Sequence, residues 1–508
     1  MIPLTRGARA RDPGAFLPTT RAELDARGIS EIDVLIVTGD AYVDHPAFGP
    51  VLVARFLEGR GFRVGIVAQP RWDRVDDLLV MGRPRLFVGV SAGNLDSMLN
   101  KLTAQKKVRS EDQYSPGGAP NMRPNRASIV YANLCRQAFP GLPVVLGGIE
   151  ASLRRIAHYD YWSDSVRRSV LLDAKADLLV FGMGERAAWT IADRLRAGEP
   201  LSELTDVRGT AVVKKNRSEW EPLTRDASRF VTDGKLVLLP SFEEAAQDKQ
   251  AFARMTALLQ KETNAHNGRP LLQAHGDQAV FLNSPPLPLS EAEMDGLYAL
   301  PFARRPHAAY GTAKIPAVET VKHSVVTMRG CFGGCSFCSI TEHEGRIIQS
   351  RSEQSVLDEV RQLSRMDGFP GVVTDVGGPT ANMYKLHCRD SKVEAACRRL
   401  SCVHPGICEN LVTNHDPLVR LLRKVRSEKG IKRVFIASGV RYDLAERSPE
   451  FIRELAAHHT GGQLSVAPEH VDPKVLDKMK KPGVESYERF ARAFCQASDA
   501  AGKEQYLV

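Results

Sequence analysis

The chain has 508 residues, 43% hydrophobic and 25% charged, the balance of a globular protein and too long for one ordinary domain. Its net charge of +9 permits a nucleic-acid partner without demanding one, because Lys and Arg are scattered apart from short groups such as Lys214-Lys215 and Arg304-Arg305. The start lacks the apolar core of a signal peptide, Asp173, Lys175 and Asp177 break the richest apolar stretch, and the nine cysteines are clustered; these features exclude a secreted disulfide framework and membrane spans, and predict a reducing, cytoplasmic setting.

Residues 30–200 alternate strand and helix signals. Apolar, branched runs at 34–37, 64–67, 86–90, 144–146 and 178–181 have strand length, and helical patterns at 50–57, 128–137 and 187–195 lie between them. Five strands with crossover helices predict an α/β domain over residues 1–205, a doubly wound parallel sheet. The connection 91–125 is long and rich in Pro and Gly near its end, which marks an insertion or lid. Ligands of such sheets sit beyond the strands' carboxyl ends. Here those ends carry Gly39-Asp40, Ser91-Ala92-Gly93, Gly147-Gly148 and Gly182-Met183-Gly184-Glu185. Gly182-x-Gly184-x-x-Ala187 formally matches a dinucleotide fingerprint, but it follows the last strand and no acidic residue ends a further strand ~20 residues on. The aromatic run His158-Tyr159-Asp160-Tyr161-Trp162 reads as core packing ahead of a platform for a flat ligand.

Residues 206–320 lose the alternation and read as a connecting module, with short strands at 210–214, 235–239 and 278–282, a helix at 242–259 and a proline-rich close. Alternation resumes over residues 321–508. Strand signals at 324–327, 371–374, 410–412, 434–438, 463–467 and 505–508 alternate with helices, which predicts a partial (β/α)6 barrel. The chain stops inside the sixth strand, which reads as a C-terminally truncated frame.

Directly after the first barrel strand lies Cys331-Phe332-Gly333-Gly334-Cys335-Ser336-Phe337-Cys338. With this cysteine content a C-x3-C-x2-C spacing arises by chance in only ~0.003 of chains. Three thiolates so close can hold three irons of a cubane and leave the fourth open, whereas a closed zinc site wants four ligands. The position obeys the rule that barrel chemistry sits at the carboxyl ends of the strands.

On these residues the chain resembles the radical S-adenosylmethionine (SAM) superfamily. The wider run from Met328-Arg329-Gly330 to Thr341-Glu342-His343-Glu344-Gly345-Arg346, with Leu300-Pro301-Phe302 through Pro306-His307, resembles its YgiQ family. The resemblance implies a 4Fe-4S cluster on Cys331, Cys335 and Cys338 that binds SAM at its open iron. It also implies an electron donor such as flavodoxin or ferredoxin, and a 5′-deoxyadenosyl radical that takes hydrogen from a substrate no motif names. Gly147-Gly148 with Gly182-x-Gly184-Glu185 looks like a cobalamin-binding domain, but Asp44-His45-Pro46-Ala47-Phe48-Gly49 departs from the Asp-x-His-x-x-Gly pattern of a cobalt-ligating histidine.

At the barrel mouth Asp375-Val376-Gly377-Gly378-Pro379-Thr380 is similar to the Gly-Gly-Glu motif, which implies that carbonyls of Gly377 and Gly378 hold the SAM amino group. Ser438-Gly439-Val440-Arg441 follows the fourth strand, and Arg441 is placed to pair with the SAM carboxylate. Glu469 or His470 is placed to contact the ribose or move protons, and the resemblance puts Phe337 against adenine. A second group, Cys388, Cys397, Cys402 and Cys408, fits no standard zinc finger and leaves open an auxiliary iron–sulfur cluster, a structural zinc, a redox-active pair or unrelated thiols. Two rival functions remain: an RNA-modifying methylthiotransferase or methylase, and a non-catalytic iron–sulfur redox sensor or scaffold.

Overall fold

The computed structural model describes residues 16–224, 227–228 and 235–508. They form two compact units, one running to Leu287 and including Leu300–Glu319, the other comprising Pro288–Ala299 and Thr320–Val508. Among the described residues no helix is long and apolar enough to cross a membrane.

The first unit is built on a ten-stranded sheet. Its strands are β1 (Val34–Thr38), β2 (Val64–Ala68), β3 (Phe87–Ser91), β4 (Val144–Gly147), β5 (Leu178–Val180), β6 (Thr210–Lys214), β7 (Ala227–Ser228), β8 (Leu236–Leu238), β9 (Leu271–His275) and β10 (Gln278–Leu282). The first five are parallel in the order β2-β1-β3-β4-β5, a doubly wound arrangement whose chain direction reverses between β1 and β3. Crossover helices Gly49–Gly59, Ala127–Ala138 and Glu185–Arg196 cover it, so β1 is buried at every position and reads as an unbroken apolar run. The segment read as a connecting module supplies β6 to β10 of this same sheet, through antiparallel pairing of β6 with β5 and of β10 with β6. Sequence reasoning missed β9, although Gly276-Asp277 between two apolar runs is a hairpin signal.

The stretch from Leu300 to Glu319 straps the first unit. Ala303 N donates to the Asp44 carboxylate (3.1 Å), Arg304 N to the Asp44 carbonyl (2.7 Å), and His307 stacks on Tyr42. Asp44 also holds a buried fork to Arg55, and His45, 1% exposed, accepts from Ala47 N at Nδ1. This local bonding commits the Asp44 carboxylate within the first unit. The aromatic run forms a hairpin, His158–Asp160 with Ser165–Arg167, on which Tyr159 and Tyr161 are exposed and only Asp160 packs inward, against Arg126.

Beyond β1 and β3, where the sheet's ligand crevice lies, the structure places a buried ion triplet. Arg123, fully buried, pairs with Asp40 (2.9 Å) and Asp112 (3.3 Å) and donates to the Ala92 carbonyl. A Cβ on Gly39 would lie 2.2 Å from the Ala92 oxygen, so the strand ends close on each other. The insertion 91–125 therefore packs inward on the sheet's end.

The second unit contains β11 (Ser324–Val326), β12 (Met328–Arg329), β13 (Gln349–Ser350), β14 (Val372–Val373), β15 (Asp375–Gly377), β16 (Arg433–Val434), β17 (Gln463–Leu464) and β18 (Tyr506–Leu507). β11 pairs in parallel with β15, β14 with β16, and β17 with β18, with helices Glu353–Ser364, Asp416–Ser427, Pro449–Glu454 and Val484–Ala500 between successive strands. One expected strand does not enter this sheet. Residues 410–412 form an isolated antiparallel bridge, Leu411 to Cys388, while β14 pairs straight with β16. The reason is local: Arg389 N and Val412 N bond across this loop, to Asn410 O and His387 O, and so tie 410–412 to the cysteine-bearing segment.

The ion triplet yields a test. Arg123→Met leaves two buried carboxylates without their cation and lowers unfolding free energy by about 3–5 kcal/mol near neutral pH. Burial pushes the Asp40 carboxyl up from 3.8 to about 6, so the folded chain keeps a proton that the unfolded chain has released. Stability from this group is full below about pH 4 and lost as pH rises through about 6. Urea titration should therefore show a smaller loss for the variant at about pH 5 than at about pH 8.

Candidate metal centre

The loop after β11 is fixed at its base before any cysteine is reached. Arg351, buried, donates to the Val326 carbonyl (2.8 Å), pairs with Glu359, and stacks on Tyr298. β12 then pairs with β13, and Cys331 N donates to Gly345 O (3.0 Å), while Gly330 N donates to Glu344 (2.9 Å), which closes the loop into a ring of backbone bonds. Gly334 sits at φ +65°, in the left-handed region, with its missing Cβ 2.3 Å from the Leu400 carbonyl oxygen; both facts require glycine.

Inside this ring Gly333 N donates to Cys331 Sγ (3.4 Å), Cys338 N donates to Cys335 O (3.2 Å), and Arg441 Nη1 approaches Cys335 Sγ (3.9 Å). Cys331 and Cys338 interact electrostatically, as do Cys338 and Cys335, and Arg441 acts on both Cys331 and Cys335. The buried guanidinium of Arg441 thus acts on Cys331 and Cys335, while Lys481 acts on Cys338. Burial pushes the thiols of Cys331 and Cys338 up, and for Cys331 the Gly333 N–H and then Arg441 oppose that rise. Among the described residues no three His, Cys, Asp or Glu side chains gather closely enough for a single metal ion.

The glycines after the second strand serve close approach. Thr327 donates to the Gly377 carbonyl from both its N (2.7 Å) and its Oγ1 (3.1 Å), so both lone pairs of that oxygen are used within the sheet. A Cβ on Gly377 would meet Ser438 Oγ at 2.4 Å, and one on Gly378 would meet the Met328 carbonyl oxygen at 2.5 Å. Ser438 donates its N–H (3.1 Å) and its hydroxyl to Asp375, a side chain whose carboxyl burial pushes up.

Arg441 spends its fork within the chain: Nε and Nη2 each donate to Asp443 at 2.9 Å. Its backbone is clamped by Asn382, which accepts from Arg441 N (2.8 Å), donates to Arg441 O (3.0 Å), and touches His415 Nε2 (3.2 Å). His415 stacks on Phe451 and is held neutral, its pKa pushed down to about 4 by burial. Sequence reasoning missed Thr327, Asn382, His415 and Asp443; only the Arg441-x-Asp443 spacing carried a signal. Phe337 is 53% exposed between the second and third cysteines. Glu469 has φ +71° and Ala467 φ +41°, two strained residues at the end of the 463–467 segment, and Glu469 lies 3.6 Å from Lys481. Of the second cysteine group, Cys397, Cys402 and Cys408 interact electrostatically.

The radical SAM N-terminal family matches residues 16–324 and the radical SAM superfamily residues 325–501. A UPF0313 protein from Bradyrhizobium diazoefficiens is 55% identical over 100% of this chain and 76% of its own length, and the UPF0313 protein YgiQ of Escherichia coli is 50% identical over 98% and 73%. A radical SAM methyltransferase from Kitasatospora setae, solved with tryptophan and a SAM analogue, is 15% identical with a TM-score of 0.45, covering 92% of this chain and 66% of that one. The chain therefore belongs to the YgiQ (UPF0313) family of radical SAM proteins.

Proposed function

We propose that this chain is a radical SAM enzyme of undefined substrate, in which Cys331, Cys335 and Cys338 ligate a 4Fe-4S cluster and the surrounding barrel mouth binds SAM. The observation that carries the reading is one glycine-built loop, directly after β11, that bears three cysteines, two of which, Cys331 and Cys335, lie beside the buried Arg441. When bound, the cluster supplies the single electron that cleaves SAM to methionine and a 5′-deoxyadenosyl radical able to take hydrogen from substrate.

The chain's own residues position and compensate. Because the Gly377 carbonyl is occupied by Thr327, the carbonyls of Gly378 and Pro379 hold the SAM amino group. Arg441, its fork committed to Asp443, acts as the positive charge that favours thiolates over thiols. Ser438 keeps Asp375 and Gly377 in register. Phe337, 53% exposed, would face adenine, and Glu469, 3.6 Å from Lys481, would face the ribose.

Anaerobic reconstitution with iron and sulfide, followed by reduction with dithionite or flavodoxin in the presence of SAM, tests the reading. Wild type should release 5′-deoxyadenosine, and a Cys331→Ala, Cys335→Ala, Cys338→Ala variant should release none and bind about four fewer irons. An iron-loaded wild type that leaves SAM intact would sink the enzyme reading in favour of a scaffold or sensor. Gly378→Ala, with its Cβ driven onto the Met328 carbonyl, should keep its iron yet bind SAM about tenfold more weakly by calorimetry, a loss of ~1.4 kcal/mol.

A further inference from the structure

Between the second and third barrel strands the chain carries four cysteines that the SAM centre does not use. The fold collects them. Cys388 is bridged to Leu411, whose N donates to Cys408 O (2.9 Å), and Cys408 N donates to Cys402 O (2.8 Å). Cys397 caps the helix Ser391–Ala396 and interacts electrostatically with Cys402, as Cys408 does. All four are half-buried, none is disulfide-bonded, and Cys402 and Cys408 pack on the barrel's apolar core.

We propose that Cys388, Cys397, Cys402 and Cys408 ligate an auxiliary iron–sulfur cluster directly beside the loop of the SAM cluster. Four thiolates on a cubane carry net negative charge, and the segment that supplies three of them is basic: between Lys385 and Cys402 five Lys and Arg face two carboxylates. Arg346 hydrogen-bonds the Cys402 side chain, the kind of contact that tunes a cluster's potential.

The two loops are joined by backbone. Cys402 N donates to Phe332 O (3.0 Å), Ser401 Oγ to Gly333 O (2.7 Å), and Gly334 lies against Leu400 O. One hydrogen bond thus separates a ligand residue of the auxiliary cluster from the residue following Cys331. Held by these four cysteines, the cluster would supply one-electron transfer to its neighbour, giving up one electron for each that the SAM cluster takes and being re-reduced by a low-potential carrier protein.

The inference deepens the proposed function and rests on it only for the neighbouring cluster. The full chain is reconstituted anaerobically as wild type, as the Cys331→Ala, Cys335→Ala, Cys338→Ala variant, and as a Cys388→Ser, Cys397→Ser, Cys402→Ser, Cys408→Ser variant. Wild type should hold about eight irons and each variant about four, and the reduced wild type should show a paramagnetic resonance spectrum broadened by coupling between the clusters. A triple alanine variant devoid of iron, or zinc bound in its place, overturns the proposal. That variant leaves all four auxiliary ligands intact, so it decides the matter even if the serine variant does not fold. Wild-type SAM cleavage with an iron-free alanine variant would overturn this inference alone. Absent SAM cleavage with four irons retained in that variant would overturn only the proposed function.

Discussion

Burial disfavours the thiolate forms of Cys331 and Cys338, and at Cys331 a buried cation beside the sulfur opposes that effect. Arg441 is that cation, and the residues around it are arranged to keep it in place. Asp443 takes two of its nitrogens, Asn382 holds its backbone from both sides, and the glycine at 333 lets the third nitrogen approach the sulfurs. A lysine there would keep the charge and lose the fork that fixes its direction. The same guanidinium thus serves local structure through Asp443 and the thiols through Nη1.

What the sequence shows of this depends on how local each signal is. The cysteine loop and its place after a strand are legible because three residue types at fixed spacing follow an apolar run. The doubly wound sheet is legible because strands covered on both faces read as continuous branched runs. Long-range commitments are not legible. Nothing in Gly377-Gly378 says that Thr327 has already taken the first carbonyl, or that Arg441 turns its fork to Asp443. The failed third strand has the same cause: three residues of strand propensity were outbid by backbone bonds to the segment around Cys388.

The first unit makes a parallel point about motifs. Asp44-His45 looks like part of a ligand-binding signature, and the structure shows both residues held by their neighbours, Asp44 by Arg55 and the 300–319 strap. The glycines at the strand ends are needed for close packing of chain on chain, as at Gly39 against Ala92. Glycine content at a strand's end therefore speaks first of backbone proximity, and only a neighbouring vacancy would speak of a ligand.

The backbone bonds that join the Gly333-Gly334 turn to residues 400–402 have a consequence for how the centre is made. Ordering a glycine-rich loop costs conformational entropy, and here two loops share the hydrogen bonds that order them. Either loop, once set, lowers the cost of setting the other. The two loops are accordingly ordered together, a chain with one loop shaped being already prepared in the second.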